Sequence, residues 1–149
     1  MKTILANEYF LLFSRVFISI IFIFAGIEKI GDPSSFAESI TNYKMFPEFL
    51  VNLFAVVIPW AELAVGILLL FGTAVKENTF ILSVLLTFFV ILIFVAVLRG
   101  LNIDCGCFGT ISASKVGLQK IIENILLLLL TINVLYFGSK KYSLSFINI

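Results

Sequence analysis

The chain has 149 residues, of which 61% are hydrophobic and 13% are charged, and its formal net charge is +1. Its mean hydropathy of +1.16 lies far above that of soluble domains. This composition excludes an ordinary soluble protein. The nearly neutral balance of charges gives no basic surface for nucleic acid, so we expect no nucleic-acid partner and take the lipid bilayer as the environment.

Four apolar runs are long enough to cross about 30 Å of hydrocarbon, which takes roughly 20 helical residues. They cover about residues 9–27, 49–71, 79–98 and 116–137. Little chain remains between them, so we predict one domain over residues 1–149, an all-α membrane protein with a four-transmembrane-helix bundle. No small-residue cleavage site follows the first run, which we therefore expect to be retained rather than removed as a signal peptide.

The first connection predicts a short amphipathic helix. Asp32 and Pro33 have the pattern of an N-cap followed by a first-turn proline, and Phe36, Ile40 and Tyr43 recur at helical spacing. A helix this short cannot span the bilayer, so we expect it to lie in the interface. It would either roof a site or simply anchor the protein to the membrane surface.

Arg15 and Glu62 are the charges deepest in the apolar runs. If the first two helices are antiparallel, Arg15 lies about 9 Å and Glu62 about 14 Å from the same membrane boundary. An arginine side chain can bridge that gap. We therefore predict a structural ion pair between Arg15 and Glu62.

Cys105 and Cys107 are the only cysteines, and a single glycine separates them in the last long connection. Such a pair can close a small disulfide ring or bind a metal ion. Because the chain has no histidine and no second ligand pair, we predict no metal site. Inert, buried thiols are another alternative. We favour a redox pair, since so small a ring is strained and easily reduced.

Residues next to the cysteines complete the candidate catalytic group. Asp104 precedes Cys105 and, when protonated, could relay a proton. Phe108 follows Cys107 and would gate the pair. Arg99 supplies positive charge before the segment, which would favour the thiolate form of a cysteine.

Polar residues at two helix ends extend the predicted pocket. The fourth run begins with Gln119, Lys120, Glu123 and Asn124. They fall within an arc of about 140°, so they can all face the bundle interior or a wet cavity. The alternative is that two of them, a lysine and a glutamate at i, i+3, merely neutralise each other near the interface. Glu28 and Lys29, at the end of the first helix, would lie at the same level.

Several short motifs now give a resemblance that covers nearly the whole chain. They are Ala25-Gly26-x-x-Lys29, Asp32-Pro33, Pro59-x-x-Glu62 with Gly66, and Arg99-Gly100 leading to Asp104-Cys-Gly-Cys-Phe-Gly109. With them the chain resembles the MauE branch of the DoxX-like membrane proteins. In place of the arginine-asparagine pair expected early in the last helix, this sequence has Lys120 and Asn124.

The resemblance implies a four-helix inner-membrane protein that acts with a periplasmic thioredoxin-like partner in the maturation of disulfide-rich proteins. It does not imply methylamine metabolism. The arrangement also looks like vitamin K epoxide reductase and DsbB-type proteins, in which cysteines at the outer end of a four-helix bundle exchange electrons with quinone. Those proteins usually carry a second cysteine pair, which this chain lacks. A quinone or a partner protein would therefore have to meet Cys105 and Cys107 directly.

Two functional hypotheses follow. The first is a membrane thiol–disulfide oxidoreductase that passes electrons between a thioredoxin-like protein and a quinone or client protein, with no covalently bound cofactor. The second is a non-enzymatic membrane subunit or assembly factor with a structural disulfide. The sequence leaves the direction of electron flow open.

The orientation also has to be inferred from chemistry. Lysine and arginine number five on each side, so the positive-inside rule does not decide. A disulfide belongs in an oxidising compartment, which predicts a bacterial inner-membrane protein with a periplasmic cysteine loop and cytoplasmic termini.

Overall fold

The computed structural model describes residues 7–101 and 118–137. Five α-helices account for nearly all of this part of the chain. They are α1 (Glu8–Gly31), α2 (Pro33–Asn42), α3 (Glu48–Leu70), α4 (Val75–Leu98) and α5 (Leu118–Phe137). All except α2 are long and apolar enough to cross a membrane. The predicted all-α, four-helix membrane protein is therefore confirmed, with helix bounds that differ by a few residues.

The four long helices form a closed ring of neighbours. α1 packs along α3, α3 packs on α4, α4 packs on α5, and α5 returns to α1. The side chains that meet in the centre come from all four helices: Leu11, Ile18, Phe22, Val65, Leu69, Leu82, Leu86, Leu127 and Val134. Large apolar side chains such as Phe13, Phe24 and Phe94 remain exposed on the outside, where a bilayer would cover them.

Helices α1 and α3 approach each other closely at two glycines. A Cβ atom on Gly26 would lie 2.9 Å from the Pro59 carbonyl oxygen and 2.9 Å from the Leu63 backbone nitrogen. A Cβ atom on Gly66 would lie 3.0 Å from the Ile23 side chain. Small residues at a membrane helix interface let two backbones come this close. These two contacts set the register of the antiparallel pair.

The short helix α2 confirms the pattern read from the first connection. Asp32 is its N-cap and accepts hydrogen bonds from the Ser35 backbone N–H at 3.1 Å and the Ser34 hydroxyl at 2.6 Å. These donors hold the pKa of Asp32 below its usual value. Phe36 and Ile40 are buried and pack with residues of α3 and α4. The helix thus covers the end of the bundle at which α1 ends and α3 begins.

Candidate functional site

A buried ion pair joins α1 to α3. Lys29 Nζ lies 2.8 Å from both Oε1 and Oε2 of Glu62, and the two residues are 2% and 1% exposed. Lys29 stays helical in the last turn of α1, and its side chain leans back toward the bundle centre because Cβ atoms tilt toward a helix N-terminus. The carboxylate takes two charge-assisted hydrogen bonds, which offset part of the cost of removing both charges from water.

The predicted ion pair between Arg15 and Glu62 is wrong. The register of α1 against α3 puts Glu62 level with about residue 25, so Arg15 lies about ten residues, or about 15 Å, farther along α1. The prediction measured each charge from the end of its own apolar run and so assumed that the two helices end together. They are staggered instead, and Lys29 occupies the position facing Glu62.

Two aromatic rings flank the Lys29 ammonium group. Its Nζ lies 5.1 Å from the ring centroid of Phe36 on α2 and 5.2 Å from that of Phe89 on α4. Both distances fall within the range of cation–π contacts, which are stronger where water is absent. Three helices besides α1 therefore contribute to the surroundings of this one lysine, namely α2, α3 and α4.

A second ion pair begins α5. Lys120 Nζ lies 2.8 Å from Glu123 Oε2, the i, i+3 neutralisation left open by the sequence. Lys120 is buried, whereas the Glu123 side chain is 39% exposed. Gln119 is exposed and donates to Glu123 Oε1 at 3.2 Å. Asn124 is buried and donates to the Lys120 carbonyl at 2.9 Å. Lys120 and Asn124 thus face inward, whereas Gln119 and Glu123 do not.

Arg99 ties α2 to the start of the cysteine segment. Its Nη1 donates to the backbone carbonyl of Tyr43 at 3.0 Å, just beyond the last turn of α2, where a cation also interacts favourably with the helix dipole. Tyr43 is buried against Leu92 and Ala96 of α4, and burial raises the pKa of its phenol to about 12. Sequence reasoning assigned Tyr43 to an apolar face but gave no sign of the bond to Arg99.

Glu28 lies partly buried in the last turn of α1, beside Lys29. Its backbone carbonyl accepts the hydrogen bond from the Asp32 N–H at 3.2 Å that ends the helix. Glu28 and Lys29 lie in the last turn of α1, whereas Lys120 and Glu123 lie in the first two turns of α5. Phe89 is a contact of the site that no sequence signal indicated, since it is one of 17 phenylalanines.

The predicted catalytic residues Asp104, Cys105 and Cys107, with the proposed gate Phe108, lie outside the described residues. Their segment leaves the structure at Leu101, just after α4, and re-enters at Leu118, where α5 begins. Because α4 and α5 are connected neighbours in the bundle, the segment begins and ends at one end of it. Within residues 7–101 and 118–137, no cluster of three or more metal-ligating side chains is found.

The comparison with known families decides the relationship. The family model described as "Methylamine utilisation protein MauE" matches residues 7–137 of the chain. The chain belongs to the MauE family. The MauE part of the resemblance is confirmed, and the wider DoxX-like grouping stays a prediction. The matched range includes both helices that flank the cysteine segment.

Individual relatives agree with this assignment. "Methylamine utilization protein MauE" of Methylophilus methylotrophus is 30% identical over 125 residues, which cover 83% of this chain and 66% of that protein. The protein of the same name from Methylorubrum extorquens is 32% identical over 106 residues, or 70% of this chain and 57% of that one. The chain thus spans less than two thirds of the length of these MauE relatives.

A relative with another name matches as well. "Protein TlpB" of Flavobacterium psychrophilum is 28% identical over 137 residues, which are 85% of this chain but 36% of TlpB. No solved structure matches the chain. The similarity to MauE sequences therefore shows the family, whereas the geometry of the ion pairs is known from the structure of this chain alone.

Proposed function

We propose that the chain is an integral membrane thiol–disulfide redox protein in which Cys105 and Cys107 form the exchanging pair. The observation that carries the proposal is the position of the charged groups. Arg99 binds α2 at the end of α4, and the Lys120–Glu123 pair begins α5, so charged groups lie at both attachment points of the cysteine segment. The Lys29–Glu62 pair lies deeper in the bundle, beside Phe89, which is about 14 Å before the end of α4. Ionisable groups inside a membrane protein are costly and usually serve function.

Two thiols that close a disulfide release two electrons and two protons, and a quinone that accepts both becomes a quinol. With a thioredoxin-like protein, a thiolate of one partner attacks the disulfide of the other, and a mixed disulfide forms that the second thiol resolves. The same steps in reverse order transfer the disulfide from this chain to the partner. The partner is a periplasmic thioredoxin-like protein, and the other reactant is a quinone or a client protein.

Neighbouring residues have roles in this proposal that follow from their chemistry. Asp104 takes or gives the proton that accompanies thiolate formation, and Phe108 covers the pair between reactions. Arg99 binds the end of α2 just before the segment and supplies positive charge there, which favours a thiolate. Lys120 and Glu123 form the polar edge of the site from the other end of the segment.

Thiol trapping in intact cells tests the proposal. An alkylating reagent that adds mass to free thiols should show both oxidised and reduced forms of the Cys105–Cys107 pair, and deletion of a thioredoxin-like partner or depletion of quinone should shift their ratio. In a Cys107→Ser variant, Cys105 should accumulate as a mixed disulfide with the partner. Cys105→Ser is the matched control, because it tests which of the two sulfurs the partner meets.

A pair locked in one redox state under all of these conditions would contradict the proposal. If the double variant Cys105→Ser, Cys107→Ser also kept full function, a non-enzymatic assembly factor with a structural disulfide would replace it. For an exchanging pair, the oxidising compartment is the bacterial periplasm, with the termini in the cytoplasm and the helices in the inner membrane.

A further inference from the structure

Two apolar clusters fill the bundle along its axis, and a thin polar layer separates them. The first cluster is the one at the centre of the four long helices. The second includes Phe36 and lies nearer the end that α2 covers. On α3, Glu62 falls between Ile58 of the second cluster and Val65 of the first. The Lys29–Glu62 ion pair therefore lies in the layer between the two clusters.

Helix α5 brings a third polar residue to this layer. Asn124 is 1% exposed and falls between Ile121, which packs on the second cluster, and Leu127, which belongs to the first. Phe89, whose ring centroid lies 5.2 Å from Lys29 Nζ, is also part of the second cluster. Asn124 therefore lies within about one helical turn of the level of the ion pair.

The side-chain amide of Asn124 is only half satisfied. Its Nδ2 donates to the Lys120 carbonyl at 2.9 Å, which fixes the orientation of the amide because a carbonyl accepts but does not donate. Its Oδ1 is buried and has no hydrogen-bond partner among residues 7–101 and 118–137. Buried polar atoms without a partner are rare, and a bound water molecule is a usual explanation.

The ion pair can form further hydrogen bonds. An ammonium group has three N–H donors, and the Glu62 carboxylate takes two of those of Lys29. A carboxylate accepts about four hydrogen bonds, so that of Glu62 can take more than the two from Lys29. The residue of α1 level with Glu62 is Ala25, which is buried and reaches into the layer with a single methyl group. A donor, acceptors and a small side chain thus occur together in the layer.

The charges of the layer favour a neutral occupant. A cation would lie near the Lys29 ammonium group and an anion near the Glu62 carboxylate, and the repulsion is strong in apolar surroundings. A water molecule carries no charge and both donates and accepts hydrogen bonds. In this layer it would have three polar partners, which is the usual number for internal water.

We propose that the polar layer binds an internal water molecule, which donates hydrogen bonds to Asn124 Oδ1 and the Glu62 carboxylate and accepts one from Lys29 Nζ. The water joins α5 to the ion pair between α1 and α3, so one hydrogen-bond network connects three of the spanning helices. This site involves no sulfur and does not depend on the proposed function.

Water-edited solid-state NMR of the full chain in liposomes tests the site. The experiment measures how fast magnetisation passes from water to each labelled carbon. Transfer to Asn124 Cγ and Lys29 Cε should be about threefold faster than transfer to the side-chain carbons of Leu86 and Leu127, which lie in the first apolar cluster. Equal rates at the polar and the apolar residues would contradict the proposal.

Two variants of α5 provide a matched comparison. Asn124→Leu keeps the approximate size of the side chain but removes the acceptor, and it should lower the transfer to Lys29 Cε about threefold. Thr131→Val is the control, because Thr131 is also buried but its hydroxyl already donates to the Leu127 carbonyl at 2.7 Å. Transfer to Lys29 Cε in Thr131→Val should equal that in the native chain.

A third variant tests the room in the layer. Ala25→Val adds two methyl groups there and should lower the transfer to Lys29 Cε as Asn124→Leu does. If Ala25→Val does not fold, the comparison of Asn124→Leu with Thr131→Val decides alone. Native transfer in Asn124→Leu, or an equal loss in Thr131→Val, would overturn the water site. None of these results bears on the redox proposal, which thiol trapping tests separately.

Discussion

Lys29 and Glu62 place a positive and a negative charge inside a bundle whose outer surface faces lipid. Each charge loses its water, and the mutual bonds at 2.8 Å and the rings of Phe36 and Phe89 replace part of it. The pair as a whole has little net effect on stability, because attraction and desolvation nearly cancel. Loss of one partner is different, because it leaves the other charge buried without compensation.

We expect Glu62→Gln to lower the free energy of unfolding by about 3–5 kcal/mol, because the Lys29 ammonium then faces a neutral amide in the same buried position. The double variant Lys29→Met, Glu62→Leu should recover most of that loss, since it removes both charges. Denaturant unfolding of the purified protein in detergent measures all of these. A double variant no more stable than Glu62→Gln would contradict the assignment.

The second ion pair is the matched control for this experiment. Glu123 also binds a lysine at 2.8 Å, but its side chain is 39% exposed. Surface ion pairs contribute about 0–1 kcal/mol, so Glu123→Gln should change the unfolding free energy by no more than about 1 kcal/mol. Equal losses at the two positions would mean that burial does not set the cost.

At the scale of elements, the packing of α1 on α3 determines which charges can meet. The backbones approach closely at Gly26 and Gly66, where any side chain would enter the other helix. That contact fixes the stagger of the two helices, and the stagger brings Lys29 opposite Glu62. The motif glycines thus act on the ion pair through helix register rather than by contact.

Gly26→Ala should separate or shift α1 and α3 and cost about 1–3 kcal/mol, since its methyl group would lie 2.9 Å from backbone atoms of Pro59 and Leu63. Gly31→Ala is the control, because a Cβ atom there meets nothing within 4 Å. Thermal unfolding in detergent compares the two. A Gly26→Ala protein as stable as Gly31→Ala would show that the close contact is not required.

Docking of α2 should depend on pH at the alkaline end. Burial raises the pKa of Tyr43 to about 12, whereas an exposed phenol has a pKa of about 10. The contribution of Tyr43 to stability is therefore complete below about pH 10 and is lost as the pH rises through about 12, because the undocked state ionises first. Hydrogen exchange of residues 33–42, after division by the intrinsic base-catalysed rate at each pH, should show a loss of protection over that range.

Tyr43→Phe keeps the buried ring without the ionisable hydroxyl, so the protection of α2 against exchange should stay constant over that range. Asp32 gives the opposite sign at the acid end: its lowered pKa means that its contribution is lost as the pH falls through that value. An alkaline transition that persists in Tyr43→Phe would assign it to another group.

At the scale of the whole molecule, the proposed orientation can be tested with a cysteine-reactive reagent that does not cross membranes. In intact spheroplasts Cys105 and Cys107, after reduction, should react from the periplasmic side. In a Cys105→Ser, Cys107→Ser background, Lys76→Cys should react only after permeabilisation, because that exposed residue lies at the start of α4, at the opposite end from Leu98. The reverse pattern would put the cysteines in the reducing cytoplasm and contradict the redox proposal.

Short sequence patterns were enough to predict parts of the site. The cap at Asp32 and the buried face of α2 depend on residues a few positions apart, so spacing was enough to predict them. The Lys120–Glu123 pair lies on a single helix turn, and the sequence included it as an alternative. The predicted partner of Glu62 was wrong because it depends on two helices that are far apart in sequence. The roles of Cys105 and Cys107 stay predictions.

The sequence by itself determined the number of spanning helices and the membrane environment, because each apolar run has to satisfy its own backbone hydrogen bonds in lipid and can do so as a helix. Only the tertiary structure decided which charges pair. That pairing depends on the stagger of α1 against α3, which is set by contacts between residues far apart in sequence such as Gly26 and Leu63.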